Sequence, residues 1–170
     1  VVGSGAEDVK KISGSKKVTY VTQSKQLGTG HAANCAKEAL KSFKGNILIL
    51  NGDFPLITAA SLKKFVSNHE KKKGDISILT ALVDDPSGYG RIKRDQKGKV
   101  LSIAEEKDAT REERYINEIN SGTYCVKSSL LWSALSKVNT KNKQKEYYLT
   151  DIVGIAHRDG LNINGVAVSD

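Results

Sequence analysis

The sequence predicts a mixed, three-layer α/β/α sheet with an inserted β-hairpin. Apolar strand-like runs alternate with helix-like periodic segments, an order typical of βαβ units. Residues 88–103 depart from this alternation, because 94–99 have the composition of a turn between two short strands. At 170 residues, the chain has the length of one domain.

The elements follow from hydrophobic periodicity. Segments that repeat apolar residues every three or four positions predict helices at 7–12, 30–43, 59–72, 128–137 and 149–158. Short runs rich in β-branched residues predict strands at 18–22, 47–50, 76–83, 90–94, 100–105, 116–126 and 161–168.

The basic balance of the chain does not by itself indicate nucleic-acid binding, since a field that attracts triphosphates and sugar phosphates fits the charge equally well. Lysine and arginine total 27 against 19 acidic residues, for a net charge of +8. The lysines are scattered, and the densest run, 71–73, ends a predicted helix, where cations suit the helix dipole. Aromatic residues do not interleave with the basic ones, as a stacking platform for nucleic acid requires. We therefore expect no nucleic-acid partner.

The cysteines and the hydropathy indicate a cytoplasmic protein. Cys35 and Cys125 are isolated and lack metal-ligand spacing, so they are expected to be free thiols in a reducing compartment. No apolar run approaches the roughly 20 residues of a membrane span. The chain does not open on a secretory signal pattern.

A glycine-rich loop, residues 26–31, runs directly into a predicted helix. Gly28 and Gly30 flank Thr29, and glycines allow a sharp turn and close approach to a flat ligand. The first turn of the following helix offers unpaired N–H groups. Upstream, Gln23 carries an amide donor and an amide acceptor, the pair needed to read a base edge.

A candidate metal ligand follows the strand at 47–50. Asn51-Gly52-Asp53 places a carboxylate where open α/β sheets bind ligands, and Mg²⁺ prefers oxygen ligands. Gly52 would let a phosphate approach. An Asp that caps the following turn or helix is an equally good interpretation.

Four later positions have both a ligand-binding and a structural interpretation. Gly90 lies in a glycine-rich loop that an ordinary tight turn also explains. Glu105 begins a charged run that is either a solvated face or a source of one inward carboxylate. Asn120 is either a sugar reader or a bulge residue. Thr150 or a residue upstream of it is expected to cap the last helix, with Tyr147 and Tyr148 packed beside it.

The order of these motifs along the chain is more specific than any one motif. Gln23 and the loop 26–32 are followed by 52–57, 88–92, Glu105 with 107–109, 118–122 and 146–151. This series resembles the uridyltransferase domain of bacterial N-acetylglucosamine-1-phosphate uridyltransferases, bifunctional enzymes that make UDP-N-acetylglucosamine. The resemblance covers nearly the whole chain.

The resemblance implies a Rossmann-like nucleotidyltransferase fold and a Mg²⁺-dependent reaction of UTP with N-acetylglucosamine-1-phosphate. It implies roles for eleven residues: Gln23, Gly28 and Thr29 at the uracil, Asn51 and Gly52 beside the ribose and phosphates, Asp53 on Mg²⁺, Gly90, Glu105 and Asn120 on the N-acetylglucosamine moiety, and Tyr148 and Thr150 lining its pocket. The product is a precursor of peptidoglycan.

The chain departs from that family in several places. The Gly-rich phosphate loop with Arg and Lys, a second Mg²⁺-ligating Asn and the C-terminal left-handed β-helix have no counterpart, so we expect residues 1–170 to be an incomplete nucleotidyltransferase domain with little activity alone. The homotrimer is expected only in the full-length protein. Asn51 stands where the family usually has Tyr, and Ser121 where it has Thr. A non-catalytic relative that binds nucleotide sugars, and an enzyme for another hexose-1-phosphate, remain alternatives.

Overall fold

The structure, a computed structural model, describes residues 1–13, 17–52 and 57–167. Its helices are α1 (Ala6–Ser13), α2 (Thr29–Cys35), α3 (Ala59–Lys71), α4 (Ser128–Leu135) and α5 (Asp151–Arg158), with a short 3₁₀ helix at Glu113–Tyr115. Its strands are β1 (Asn46–Ile49), β2 (Ile76–Leu82), β3 (Arg91–Arg94), β4 (Val100–Ala104), β5 (Glu118–Lys127) and β6 (Ile163–Ala167).

Within the described residues, the six strands form one mixed sheet. The main path runs β4-β3-β5-β2-β6, and β1 pairs with β5. Only the β2–β6 pairing among these is parallel; the others are antiparallel. The ten-residue strand β5 is the centre of the sheet, because it pairs with β2 on one edge and with β1 and β3 on the other.

Helices cover both faces of the sheet, which gives the predicted three layers. The larger core lies between α4, α5 and the sheet face that carries Ile76, Ile78 and Val126. On the opposite face, Phe65 of α3 packs on Leu79 and Cys125. The Cys125 thiol is free, and burial raises its pKa to about 11, so it is an unreactive core residue.

The hairpin predicted between residues 90 and 105 is present as β3 and β4. Its turn is stabilised by Asp95, whose Oδ1 accepts the N–H groups of Lys97 at 2.9 Å and Lys99 at 2.8 Å. This is the side-chain-to-backbone bonding that makes Asp a frequent turn residue.

Two predicted elements differ from the structure. Residues 18–22 do not form a strand. Among the described residues they pair through a single parallel bridge, between Thr22 and Val2, because the chain turns after Gly3 and offers no further residues to pair with. The helix predicted to reach residue 43 ends at Cys35 and continues as turns, in which Phe43 N–H bonds Leu40 O at 2.9 Å.

In the described part of the chain, no helix combines the length and the apolar character that crossing a membrane requires.

Candidate functional site

A cavity of about 370 Å³ opens where several loops meet the sheet. Its walls come from the end of the glycine-rich loop, the second residue after β1, the loop before β3, the residue after β4, the middle of β5 and the start of α5. The lining residues are Thr29, Asn51, Gly88, Tyr89, Gly90, Glu105, Asn120, Ser121, Gly122, Tyr124, Leu149 and Thr150. Six of the residues proposed from sequence therefore meet here, and the first and the last of them, Thr29 and Thr150, are 121 positions apart.

Glu105 is the carboxylate in this wall, and it is held by Thr150. The Thr150 hydroxyl donates to Glu105 Oε1 at 2.7 Å. Burial raises the pKa of Glu105, with a contribution from the nearby Asp108 charge. Thr150 does occupy the N-cap of α5, but its side chain makes no capping bond. The expected cap is corrected, because the hydroxyl is used by the cavity carboxylate.

Asn120 begins the bulge that one of its two sequence interpretations predicts, and it also lines the cavity, where its sugar-reading role stays a prediction. The register between β2 and β5 shifts between Ile78 and Thr80, which leaves extra residues on β5 directly after Asn120. Asn120 Oδ1 accepts Gly122 N–H at 3.0 Å inside this bulge. Gly122 has φ +76°, and a Cβ there would overlap the Asn51 side chain. The bulge therefore brings the amides of Asn120 and Asn51 to one side of the cavity.

The loop before β3 is held by an ion pair between the buried Arg91 and the partly exposed Glu106. The Arg91 side chain is only 2% exposed and contacts Glu106 Oε2 at 2.5 Å. The same Glu106 oxygen accepts Gly88 N–H at 3.2 Å, while Arg91 also donates to Tyr89 O. Gly90 O in turn accepts Asn120 N–H at 2.8 Å. The glycine-rich turn at residues 88–90 is thus bonded both to Glu106, which follows β4, and to Asn120 of β5.

The glycines of the 26–31 loop serve first to let it lie against a neighbouring segment. A Cβ on Gly28, whose φ is +105°, would lie 2.6 Å from Tyr147 O. Gly30 N–H donates to Tyr147 O at 2.7 Å, and Thr29 Oγ1 accepts Leu149 N–H at 3.0 Å. This contact explains the glycines without a ligand, and it places Thr29 in the cavity wall.

The other proposed site residues lie outside this lining. Gly52 lines a neighbouring, more apolar cavity of about 360 Å³ that shares Thr29, Asn51 and Leu149 with the first. The Gln23 side chain donates a hydrogen bond to Gly28 O just before α2. Tyr148 is 7% exposed and sits beside the cavity rather than in its lining. Asp53 lies outside the described residues.

The chain is similar to known nucleotidyl transferases. The sequence model of the family described as Nucleotidyl transferase matches residues 4–167. The chain belongs to this family. It is 49% identical over 170 residues to the bifunctional protein GlmU of Clostridium botulinum and 45% identical over 168 residues to that of Clostridium acetobutylicum. These matches cover 100% and 99% of the chain but 37% of each relative, so the chain spans little more than a third of their length. The resemblance to the bifunctional enzymes is confirmed.

A solved structure supports the fold. A putative glucose-1-phosphate thymidylyltransferase from Bacillus anthracis superposes with a TM-score of 0.74 at 20% identity, over 96% of this chain and 63% of that one. At this identity the likeness concerns the fold alone, and it confirms the Rossmann-like nucleotidyltransferase architecture.

Sequence reasoning missed several lining residues of this nucleotidyl transferase cavity. Tyr124 follows Asn120 by four positions on β5, a spacing that could have indicated it. Burial raises the pKa of its phenol, with help from the Glu105 charge, so its hydroxyl remains a donor. Ser121 keeps its hydroxyl engaged with Leu79 O at 2.8 Å, which makes it a support of the bulge.

Proposed function

We propose that the chain is a uridyltransferase domain that forms UDP-N-acetylglucosamine and pyrophosphate from UTP and N-acetylglucosamine-1-phosphate. The supporting observation is the cavity. It joins the residues that the family resemblance assigns to the sugar with those that it assigns to the nucleotide: Gly90, Glu105, Asn120 and Thr150 with Thr29 and Asn51.

The donor and acceptor set suits an amino sugar with free hydroxyls. Glu105 accepts hydrogen bonds, Tyr124 donates one, and the Asn120 amide can do both. A carboxylate that Thr150 already orients loses little further freedom when a sugar hydroxyl reaches it.

The proposed reaction is an in-line displacement at phosphorus. A phosphate oxygen of the sugar-1-phosphate attacks the α-phosphorus of UTP; the new P–O bond forms as the bond to the bridging oxygen breaks, and pyrophosphate leaves. Such chemistry depends on positioning and charge neutralisation more than on acid–base catalysis. The role of the cavity residues is to hold the sugar so that its phosphate meets the nucleotide.

We propose that Asp53 binds Mg²⁺. In the described residues, no three His, Cys, Asp or Glu side chains gather around a metal position. Mg²⁺ commonly takes only one or two carboxylates together with substrate phosphates, which a single Asp satisfies. Gly52 supports this placement, since a Cβ there would meet nothing within 4 Å and a phosphate has room. The ion would supply charge neutralisation between the two phosphates.

The cellular setting follows from the same proposal. UDP-N-acetylglucosamine is a peptidoglycan precursor, and two free cysteines fit synthesis in the reducing cytoplasm. We propose that the homotrimer belongs to the longer protein, outside this domain.

Calorimetric titration of the 170-residue chain with UDP-N-acetylglucosamine and Mg²⁺ tests the proposal. We expect binding that exceeds that of UDP-glucose, requires Mg²⁺ and weakens in Asp53→Ala. Equal or tighter binding of UDP-glucose would assign the site to another hexose. Absence of binding by either nucleotide sugar would contradict the proposal.

An assay of pyrophosphate release separates an enzyme from a non-catalytic relative. UTP and N-acetylglucosamine-1-phosphate are incubated with the full-length gene product, with Asp53→Ala as the matched control. We expect release that the substitution abolishes. Binding of the nucleotide sugar without any release would favour a sensor or partner module.

A further inference from the structure

The amide of Gln23 is held in one orientation by two partners on the glycine-rich loop and α2. Its Nε2 donates to Gly28 O at 3.1 Å and lies 2.9 Å from His31 Nδ1. A carbonyl oxygen can only accept, so the nitrogen and not the oxygen of the amide must face Gly28. This argument fixes the orientation chemically, since reversing the amide would place two oxygens in contact.

The orientation in turn fixes the tautomer of His31. One Nε2 hydrogen of Gln23 goes to Gly28 and the other points to His31 Nδ1, so Nδ1 must accept and the ring proton must sit on its Nε2. The ring is also packed near Tyr147, with centroids 6.5 Å apart. Ala32 N–H bonds Gly28 O at 3.1 Å, which places both partners of Gln23 on one rigid turn.

With both amide hydrogens engaged, Gln23 has only Oε1 left for a ligand. This half-buried side chain then presents an acceptor alone, although the sequence indicated a donor and an acceptor. The N3 position of uracil carries a hydrogen and can donate to such an oxygen. The N3 position of cytosine carries a lone pair and is repelled by it.

We propose that His31 is the positioning residue that fixes the Gln23 amide and so sets the preference for uracil over cytosine. The inference rests on the proposed function, because it concerns the base of the nucleotide that this site binds. His31 acts through Gln23 and does not itself touch the base.

The ratio of the dissociation constants for CDP and UDP tests the role of His31. Loss of one of the two bonds that orient the amide is worth about 1 kcal/mol, so His31→Leu should reduce the preference for UDP about 5-fold. His31→Asn should keep most of the preference, because its Oδ1 can replace Nδ1 as an acceptor. A folded His31→Leu protein with an unchanged ratio would overturn the inference.

A second measurement needs no nucleotide. Two-bond ¹⁵N–¹H spectra of the imidazole groups at pH 8, with His31 assigned by its absence in His31→Asn, should show the Nε2–H tautomer. The Nδ1–H tautomer would overturn the inference, since that nitrogen could then not accept. Failure of the wild-type chain to bind any uridine nucleotide would instead overturn the proposed function, and equal binding of UDP and CDP would overturn only the role given to His31.

Discussion

Two adjacent glutamates show how local surroundings set the chemistry of the site. Glu105 faces the cavity, where burial raises its pKa. Glu106 points to the other side of the chain, where its bond with Arg91 holds its pKa below the ordinary value. One residue therefore costs stability when it ionises, and its neighbour contributes stability when it does.

Replacing Glu105 with Gln should weaken ligand binding and raise the stability of the fold. A hydrogen bond to a charged acceptor is worth roughly 1.5–3 kcal/mol, so UDP-N-acetylglucosamine should bind about 10- to 100-fold more weakly by calorimetry. The folded pKa of Glu105 lies above the unfolded value of 4.5, so between the two pKa values the native state binds more protons than the unfolded state. Wild-type stability therefore falls as the pH rises from 4.5 through the folded pKa. The variant should therefore have the higher Tm at pH 7.

The Tm difference between Glu105→Gln and wild type should shrink as the pH falls through the folded pKa of Glu105 and should close below 4.5, where the carboxyl is protonated in both the folded and the unfolded state. A variant that is less stable than wild type at pH 7 would show that the Thr150 bond outweighs the cost of burying the charge.

Gly122→Ala should disturb the cavity through Asn51. The left-handed backbone costs a non-glycine residue about 1–2 kcal/mol, and the new Cβ overlaps the Asn51 side chain. Gly98→Ala is the matched control, since its φ is +78° and its Cβ would meet nothing within 4 Å. Urea unfolding should show the larger loss for Gly122→Ala, and the excess should vanish when Asn51→Ala is added. An excess that survives in the double variant would rule out the Asn51 overlap as its cause.

The sequence indicated which residue types belong to the site better than how each one is used. Thr150 was expected to cap a helix, yet its hydroxyl bonds Glu105, 45 positions away. As an isolated side chain, Gln23 offers a ligand both a donor and an acceptor. Once Gly28 and His31 engage its nitrogen, only the acceptor is left. These outcomes depend on partners that the fold supplies, so local pattern could not decide them.

At the scale of elements, the loop that leads into the hairpin β3–β4 lies on the side of the cavity where we propose that the sugar binds. Glu106 links this loop to Arg91, which is almost fully buried. The loop lines the cavity through Gly88, Tyr89 and Gly90. Its position should therefore depend on a residue that does not line the cavity.

Glu106→Gln should weaken binding of UDP-N-acetylglucosamine several-fold and leave the affinity for UDP unchanged, because we propose that the loop 88–90 contacts the sugar and not the nucleotide. At pH 7 the variant should also melt below wild type. The folded pKa of Glu106 lies below 4.5, so its stabilising effect is present above pH 4.5 and is lost as the pH falls through the folded pKa. The Tm values of the variant and of wild type should therefore converge at that low pH.

Glu38→Gln is the control for Glu106→Gln, since its 3.6 Å pair with Lys41 is exposed on both sides. It should change neither affinity nor Tm. Equal loss of UDP and UDP-N-acetylglucosamine affinity in Glu106→Gln would show a general structural effect rather than one on the sugar loop.

The predictions of strands are confirmed where helices pack on both faces of the sheet. β2 and β5 are long apolar runs buried by both helical layers, so pattern and packing agree. Residues 18–22 have a similar local pattern, but in the part of the chain that the structure describes their one bridge is to Val2, and they remain irregular. Strand formation is a property of partners as well as of sequence.

At the scale of the whole molecule, the site depends on topology. Thr29 and Leu149 are joined by a hydrogen bond across 120 positions, and Thr150 and Glu105 by one across 45. Charge is also a global property here: the net +8 comes from scattered residues, and the cavity wall itself contains a glutamate. Attraction of an anionic ligand must therefore come from the field of the entire surface.

This origin of the attraction predicts a dependence on salt that affects association rather than dissociation. Raising the ionic strength from about 0.01 M to 0.1 M shortens the Debye length from about 30 Å to 10 Å, which screens scattered charges. In stopped-flow experiments the association rate constant of UDP-N-acetylglucosamine should fall about 10-fold, while its dissociation rate constant changes little. Uridine, which is neutral, provides the control and should associate at the same rate at both salt concentrations. If salt instead accelerates dissociation and leaves association unaltered, the dominant charges are those in direct contact with the ligand, and the distributed positive surface has no part in its capture.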